Sequence, residues 1–345
     1  MCQDAAVRDA FDIVIVSHGH ADVLPACLAA VAALDRPAVR VTVVDNASAD
    51  GSAEVAQAQV GTPGLEVLRL TTNVGFAAGV NRGLARGDSP WVLLLNPDCA
   101  PRPDLVTRLL GAVAARPEAA EIGSATPRLM RGAGTGLAPD GRLDAAGMVV
   151  TPSGRHLDRG AGEPDDGRCD RLAWVFGGTG AATLYRRAAL ADVAYPDGQV
   201  LAESFFAYRE DAELAWRLQW RGWRCLYVPE STAVHRRGFR PEAGRSGHQA
   251  VNRRSVANRF LLRAHCADLG WHLRCLPWWL LRDLVVVGAC LTVERESLPG
   301  LASAWRGRAD ARSRRRWVLG RARVPSRRIS RWFRKGGWVE EVAGA

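Results

Sequence analysis

The chain carries a single lysine, Lys335, among its 46 basic residues, and only three methionines and four tyrosines. The near-absence of lysine reflects coding preference rather than chemistry. No C-x-x-C pair occurs. The eight cysteines stand apart at positions 2, 27, 99, 169, 225, 266, 275 and 290, which argues against a knuckle-type zinc site and reads as reduced, buried thiols of a cytosolic protein. No uncharged apolar run reaches the roughly eighteen residues of a conventional membrane span. Met1 to Ala10 holds charges of both signs and no apolar core, so a secretory leader is not expected. A G-x-x-x-x-G-K-[ST] loop is missing, which excludes a P-loop NTPase. G-x-G-x-x-G does not follow the first apolar run, which argues against a dinucleotide fold. No persuasive Ser-His-Asp or Cys-His set is present, so a protein nucleophile is not expected.

What is present is globular. The 345 residues are 48% hydrophobic and 24% charged, which excludes wholesale disorder and suits one large α/β domain with an appendage. The net charge of +10 is unevenly spread. Residues 1–250 hold 26 basic and 29 acidic side chains, whereas residues 251–345 hold 20 and 7 and seven of the twelve tryptophans. This division sets a slightly acidic body, 1–250, apart from a basic, Trp-rich helical tail, 251–345, that should face something anionic.

The body opens with βα units. Asp12 to Val16, Val39 to Val44, Glu66 to Leu70 and Trp91 to Leu95 have the β-branched or apolar character of buried strands. Ala21 to Leu34 and Gly75 to Ala85 have helical spacing between them. The alternation predicts a mostly parallel sheet with right-handed crossovers. In such sheets ligands bind beyond the carboxyl ends of the strands. Three polar clusters stand at such ends: Ser17-His18-Gly19, Asp45-Asn46-Ala47-Ser48 and Asn96-Pro97-Asp98.

Each cluster has a plain and a chemical reading. Asp50 and Ser52 are turn and cap residues, while Asp45, closing an apolar strand, can accept hydrogen bonds from a nucleobase or ribose. Asp98 either belongs to a Pro turn or holds a hard divalent cation alongside substrate phosphates. The glycines of Asn73-Val74-Gly75-Phe76-Ala77-Ala78-Gly79-Val80-Asn81-Arg82-Gly83 admit either a ligand or close helix–sheet packing. Glu210, Asp211 and Glu213 open a helix, where acids are favoured electrostatically, or present a general base at the mouth of the sheet. His235 is a packing residue or faces metal and diphosphate.

Together these stretches resemble glycosyltransferase family 2 of the GT-A fold, and more narrowly its rhamnosyltransferase-like branch. The resemblance is carried by Val44 to Ser52, Asn73 to Gly83, Leu94-Leu95-Asn96-Pro97-Asp98, Gly177 to Leu190 and Phe205 to Leu214, in order over about residues 11–240. It implies an inverting transfer from a nucleotide-sugar donor, best dTDP-rhamnose, to a hydroxyl of a lipid-linked or cell-envelope glycan, with Mg²⁺ or Mn²⁺. In that pattern Asp211 is the catalytic base, with Glu210 as its substitute. Ser17, Asp45, Asn46, Asn73, Gly75, Asn81 and Asn96 bind the donor, and Asp98 with His235 holds the metal. Gly178, Thr179, Gly180, Trp216 and Arg217 line the acceptor. Asn96 stands where a D-x-D motif has its first carboxylate. A nucleotidyltransferase, which usually carries a basic Gly-rich loop after its first strand, and a catalytically silent sugar-nucleotide-binding scaffold are the alternatives.

Residues 151–170, rich in Gly, Asp and Arg, are expected as a flexible loop able to close over the donor. In the tail, Arg282 and Asp283 interrupt the apolar run 276–291, which favours an interfacial helix over a span. Tryptophans 271, 278, 279, 305, 317, 332 and 338 with interleaved Arg suit a headgroup interface. The expected partners are donor, glycan or polyprenyl-diphosphate-linked acceptor and the inner face of the plasma membrane, with nucleic acid the weaker reading.

Overall fold

The computed structural model describes residues 9–59, 61–135, 137–237 and 249–342. Residues 1–8, on which most of the leader reading rests, lie outside the described residues, as do Cys2 and Gly238. In chain order the elements are β1 (Phe11–Ser17), α1 (Leu24–Ala32), β2 (Arg40–Asp45), α2 (Ser52–Gln57), β3 (Leu65–Arg69), α3 (Phe76–Leu84), β4 (Trp91–Leu95), β5 (Cys99–Pro101) and α4 (Leu105–Ala114). There follow β6 (Ile122–Ala133), β7 (Ala138–Ala145), β8 (Met148–Val150), β9 (His156–Asp158), β10 (Ala173–Val175), β11 (Ala182–Arg186), α5 (Arg187–Val193), α6 (Glu210–Trp220) and β12 (Arg224–His235). The tail holds α7 (Gln249–Cys266), α8 (Leu269–Leu291), α9 (Leu298–Arg306), α10 (Arg308–Gly320), α11 (Ser326–Ser330) and β13 (Glu340–Glu341).

One mixed sheet runs β13-β10-β12-β6-β11-β4-β1-β2-β3, with β5 on β12 and β7 on β6. The strands β3, β2, β1 and β4 are parallel, as the βα alternation predicts, and β6 pairs in parallel with β12. Strand β11 enters antiparallel between β4 and β6. Strands β1 and β4 are buried throughout, which is why they read as continuous apolar runs rather than alternating ones. The glycines of α3 settle as packing residues at two positions. A Cβ on Gly79 would stand 2.7 Å from Val16 Cγ1, and one on Gly83 would stand 2.4 Å from Val14 Cγ1.

The tail shares the body's core. Trp271 stacks edge-on to Trp216 at 5.6 Å, and Trp332 does the same to Phe176 at 6.2 Å. Strand β13 adds to the sheet edge at β10. This corrects the reading of the tryptophans. Trp271 and Trp332 are 0% and 4% exposed core residues, and only Trp278 and Trp305 present large free faces. Their indoles fill the gap between α6 and the tail helices, where burial of apolar area outweighs any gain at an interface. Residues 151–170 also differ from the expected loop. They contain β9, which pairs with β8, and Gly162 N donates to the Leu143 carbonyl at 2.9 Å.

Candidate active site

The parallel register sets Ser17 opposite Asp45 and Ile15 opposite Leu95, so the polar clusters that follow share one mouth. The Ser17 hydroxyl and Asp45 Oδ1 are buried there with no partner within the protein. Unpartnered polar atoms are costly inside a fold, and these two lie side by side in register at the ends of β1 and β2. Asn46 plays a different part. Its amide donates to Asn73 Oδ1 and the Gly75 carbonyl, each at 3.1 Å, and its oxygen accepts from Val74 N at 2.9 Å. Asn46 and Asn73 therefore hold the 73–75 loop in shape. Gly75 is required in it: φ is +88° and a Cβ would stand 2.6 Å from Phe206.

Asn81 does not belong to the donor site. Its side chain is spent on the Leu201 carbonyl and Glu203 as donor and on the Val200 and Leu201 amides as acceptor. It points from α3 toward the 200–203 segment, a direction that helical spacing alone does not reveal.

Asp98 and His235 come together as expected, at 3.2 Å between Oδ1 and Nε2, with Asn96 Nδ2 3.4 Å from the same ring nitrogen. Antiparallel pairing of β12 with β5 sets His235 opposite Cys99. Behind the ring stands a residue that sequence reasoning missed, Asp144 at the end of β7, 2.8 Å from Nδ1. Arg237 then pairs with Asp144 at 3.0 Å and Asp158 at 2.5 Å. Burial alone would lower the His235 imidazole, but hydrogen bonds to Asp144 and Asp98 carry it up to about 9. The signal for Asp144 was an acid between apolar residues, Leu143 and Ala145, on a strand facing the site.

This donor set fits a hard divalent cation. The Asp98 oxygen and the imidazole nitrogen, 3.2 Å apart, suit adjacent ligands of one ion once the ion displaces the Nε2 proton that the two carboxylates hold on the ring. A carboxylate behind the ring is the usual support of a metal-bound histidine. Among the described residues no group of three or more His, Cys, Asp or Glu could hold a metal. The remaining ligands would be phosphate oxygens and water, as is common for Mg²⁺.

At the other side of the mouth Asp211 opens α6. Its Oδ2 accepts from Gly180 N at 3.1 Å and its Oδ1 from Ala212 N at 2.7 Å. Burial raises this carboxyl above its ordinary value, against those backbone donors. Glu210, more deeply buried, has an unpartnered Oε2; burial and the Asp211 charge push it up to about 8. Asp211 is the half-buried member of the pair. Asn258 of α7, also missed, donates to the carbonyls of the segment leading into α6.

The acceptor candidates divide. Gly180 adjoins Asp211, and Thr179 keeps a buried, unpartnered hydroxyl. Gly178 is buried against Thr183, where a Cβ would stand 2.2 Å from Oγ1. Trp216 and Arg217 do not line an acceptor site. Trp216 is 1% exposed and stacks on Trp271 and Phe333. Arg217 is a buried partner of Glu213 at 2.7 Å and also bonds the Val193 and Val200 carbonyls. Both face inward because α6 buries its whole length after the first turn.

A mixed, mostly parallel sheet with polar clusters at its strand ends and an acid pair opening α6 is the GT-A architecture. The Glycosyl transferase family 2 profile matches residues 12–193, and the chain belongs to that family. It is thus a nucleotide-sugar-dependent glycosyltransferase. The N-acetylglucosaminyl-diphospho-decaprenol L-rhamnosyltransferase of Mycobacterium tuberculosis is 28% identical over 304 residues, 81% of this chain and 92% of that protein. The mannosyltransferase PcManGT of Pyrobaculum calidifontis, solved with GDP-Man and Mn²⁺, aligns at TM-score 0.51 and 17% identity over 90% of this chain and 85% of that one. Residues 1–349 of S. aureus TarS, solved with UDP-GlcNAc, align at TM-score 0.52 and 16% identity over 90% of each chain. These two likenesses are of fold.

Proposed function

We propose that this chain transfers a sugar, best L-rhamnose from dTDP-rhamnose, to a hydroxyl of a polyprenyl-diphosphate-linked glycan, with inversion at the anomeric carbon. The sugar and the acceptor follow the named activity of the Mycobacterium tuberculosis relative, which this chain matches over 81% of its length; dTDP as its carrier follows from the resemblance to the rhamnosyltransferase-like branch. The observation that carries the chemistry is Asp211, held by the Gly180 amide, whose neighbour Ala181 accepts from Asn96 N at 2.9 Å beside the Asp98–His235 pair.

In this reading Asp45 and Ser17 receive the nucleoside. Asp211 takes the proton of the acceptor hydroxyl as its oxygen attacks the anomeric carbon in line with the departing diphosphate. Its carboxyl, raised by burial, is a stronger base than an exposed aspartate. Gly180 N–H holds the carboxylate in place, and Glu210, protonated beneath it, adds no competing charge. Asp98 and His235 would hold Mg²⁺ or Mn²⁺, which supplies charge neutralisation of the leaving diphosphate. No covalent sugar–protein intermediate is required.

The same reading seats the chain peripherally on the inner membrane face. Among the described residues no single helix is long and apolar enough to cross a membrane. Yet α8 exposes Leu273, Leu276, Trp278, Leu281 and Leu284, with exposed Arg274 on the same helix to meet anionic headgroups. Deleting 251–345 would remove core residues, so the cleaner test is Leu281→Glu with Leu284→Glu. Reduced sedimentation with anionic liposomes is expected, and unchanged sedimentation refutes the seating.

The reaction is tested by incubating the purified chain and Mn²⁺ with dTDP-, UDP- and GDP-sugars and a polyprenyl-diphosphate-linked N-acetylglucosamine. Selective transfer from dTDP-rhamnose, with the product's anomeric configuration opposite to the donor's, is expected. Transfer from another donor, or retained configuration, overturns the corresponding part.

A further inference from the structure

Five arginines lie close enough to act on one another's charge, and one of them, Arg209, also feels Asp211. Arg155 stands on the turn between β8 and β9, Arg209 directly precedes α6, Arg259 and Arg263 lie one turn apart on α7, and Arg282 is on α8. The turn is pinned onto α7. Arg259 Nη2 donates to the Ser153 carbonyl at 3.3 Å, and a Cβ on Gly154 would stand 3.0 Å from the Arg263 side chain. Arg209 reaches His156 Nδ1 and Ser255 Oγ, each at 3.4 Å.

Counter-charge is scarce. Asp283 pairs with Arg259 at 3.0 Å and with Arg263. Among the described residues no carboxylate pairs with Arg155, Arg209 or Arg282. Arg209 Nε, Arg263 Nη1 and Arg282 Nε are buried without a partner, and Arg263 is only 6% exposed. Burial, followed by the charges of Arg259 and Arg155, pushes the Arg209 guanidinium down to about 9. Burial, with Arg209 beside it, holds the His156 imidazole at about 3, so it stays neutral. Buried charge is tolerated when it is paired, and here the missing partner is an anion. Arg155 is exposed and Arg282 half-buried, which leaves the cluster an open side.

The two edges of the cluster indicate which anion. One edge is Arg209, two residues from Asp211. The other is the apolar face of α8, where Leu281, Leu284 and Val285 are 66%, 62% and 52% exposed. A ligand spanning those edges has a reacting hydroxyl at one end, a hydrocarbon at the other and negative charge between. We propose that Arg155, Arg209, Arg259, Arg263 and Arg282 form a diphosphate-binding site that receives the pyrophosphate link of the lipid acceptor. The proposal rests on the lipid-linked acceptor read above. The competing source of the same chemistry is the diphosphate of the donor nucleotide.

The test uses the full chain and geranyl diphosphate as probe, titrated calorimetrically with dTDP and Mn²⁺ already saturating. Arg155→Gln and Arg282→Gln are made singly and together, since neither side chain anchors the fold; unchanged melting temperatures verify this. Wild type is expected to bind the probe with dTDP in place. The double variant is expected to lose about tenfold or more in probe affinity, the scale of lost charge-assisted bonds, with dTDP affinity unchanged. KM for the lipid-linked acceptor should rise in parallel, with kcat within about twofold. Undiminished probe affinity in the double variant overturns the site. So does competition between the probe and dTDP, or a loss of dTDP affinity, either of which assigns the arginines to the donor. Probe binding through these arginines without sugar transfer to the lipid acceptor keeps the site and removes the reaction. Transfer with unchanged acceptor KM keeps the reaction and removes the site.

Discussion

The side-chain amide of Asn258 donates to the Tyr208 carbonyl at 2.8 Å, and the same nitrogen reaches the Phe205 and Ala207 carbonyls, each at 2.9 Å. The segment it grips is strained. Phe206, Tyr208 and Arg209 take φ of 61°, 73° and 75°, in the left-handed region that side chains disfavour, at about 1–3 kcal/mol each. A helix of the tail thus fixes the backbone that presents Asp211. Asn258→Ala is expected to cost about 2–3 kcal/mol, because buried carbonyls lose their donor. In steady-state assays kcat should fall more than either KM changes, while urea unfolding reports the stability loss. A stability loss with unchanged kcat would make Asn258 a packing residue only.

Asp211→Asn keeps the shape of the side chain and removes its basicity. Turnover should fall about 10²–10⁴-fold, the usual contribution of a general base, with donor affinity by calorimetry unchanged. The base must be ionised, and burial raises its pKa, so kcat/KM should climb with pH through a value above the ordinary carboxylate range of about 3.9. Glu210, pushed up to about 8, is already protonated at neutrality. Glu210→Gln should therefore stay near wild type there.

Much of the site was legible because strand ends announce themselves. An apolar run that stops at a carboxylate fixes the position of Asp45, and one that stops at a short polar turn brings Asp98 three residues beyond the end of β4. Parallel pairing then brings both to the same edge of the sheet. The start of α6 was legible for the same reason, since Asp211 sits at a boundary. Interior helix positions were not. Trp216 and Arg217 follow Asp211 closely in sequence, yet one further turn carries them into the core. Asn81 shares a motif with Gly75, but its side chain serves a segment about 120 residues later. Asp144 and Asn258 escaped because each meets the site through tertiary contact from a distant element, which local periodicity does not encode.

Asp45 Oδ1 is buried without a partner, so the fold gains little from this carboxylate. Asp45→Ala should leave the urea midpoint essentially unchanged. Donor nucleotide affinity should drop about 10–100-fold, as expected for a lost hydrogen bond to a charged group. A large stability loss with intact nucleotide binding would return Asp45 to a structural role.

Chelation should abolish transfer, and Mn²⁺ or Mg²⁺ should restore it, if Asp98 and His235 hold the ion. Asp144→Asn tests the support behind the ring at 2.8 Å. Metal affinity should weaken about 10–100-fold, the usual cost of losing such a partner, and excess metal should recover activity. Full activity after exhaustive chelation would remove the metal from the reaction.

Glu213 and Arg217 form a fully buried pair, 0% and 1% exposed at the side chain, with Tyr195 donating to Glu213 and His265 3.3 Å away. Burial alone would raise the Glu213 carboxyl, but Arg217 and His265 hold it at about 2. Because the folded value lies below the ordinary one of about 4.3, the pair's stabilisation is complete above that pH. It is lost as pH falls through about 2. Glu213→Gln leaves the Arg217 charge buried and uncompensated, at a cost of about 3–5 kcal/mol. Its stability should also be flatter than wild type across this acid window, because the titrating group is gone. Urea unfolding followed between about pH 2 and 6 separates the two effects. Replacing both partners, Glu213→Leu with Arg217→Met, should recover most of the loss, since an apolar pair leaves no unpaired charge. A double variant no more stable than Glu213→Gln would show that Arg217's bonds to the Val193 and Val200 carbonyls, rather than its ion pair, hold the end of α5 against α6.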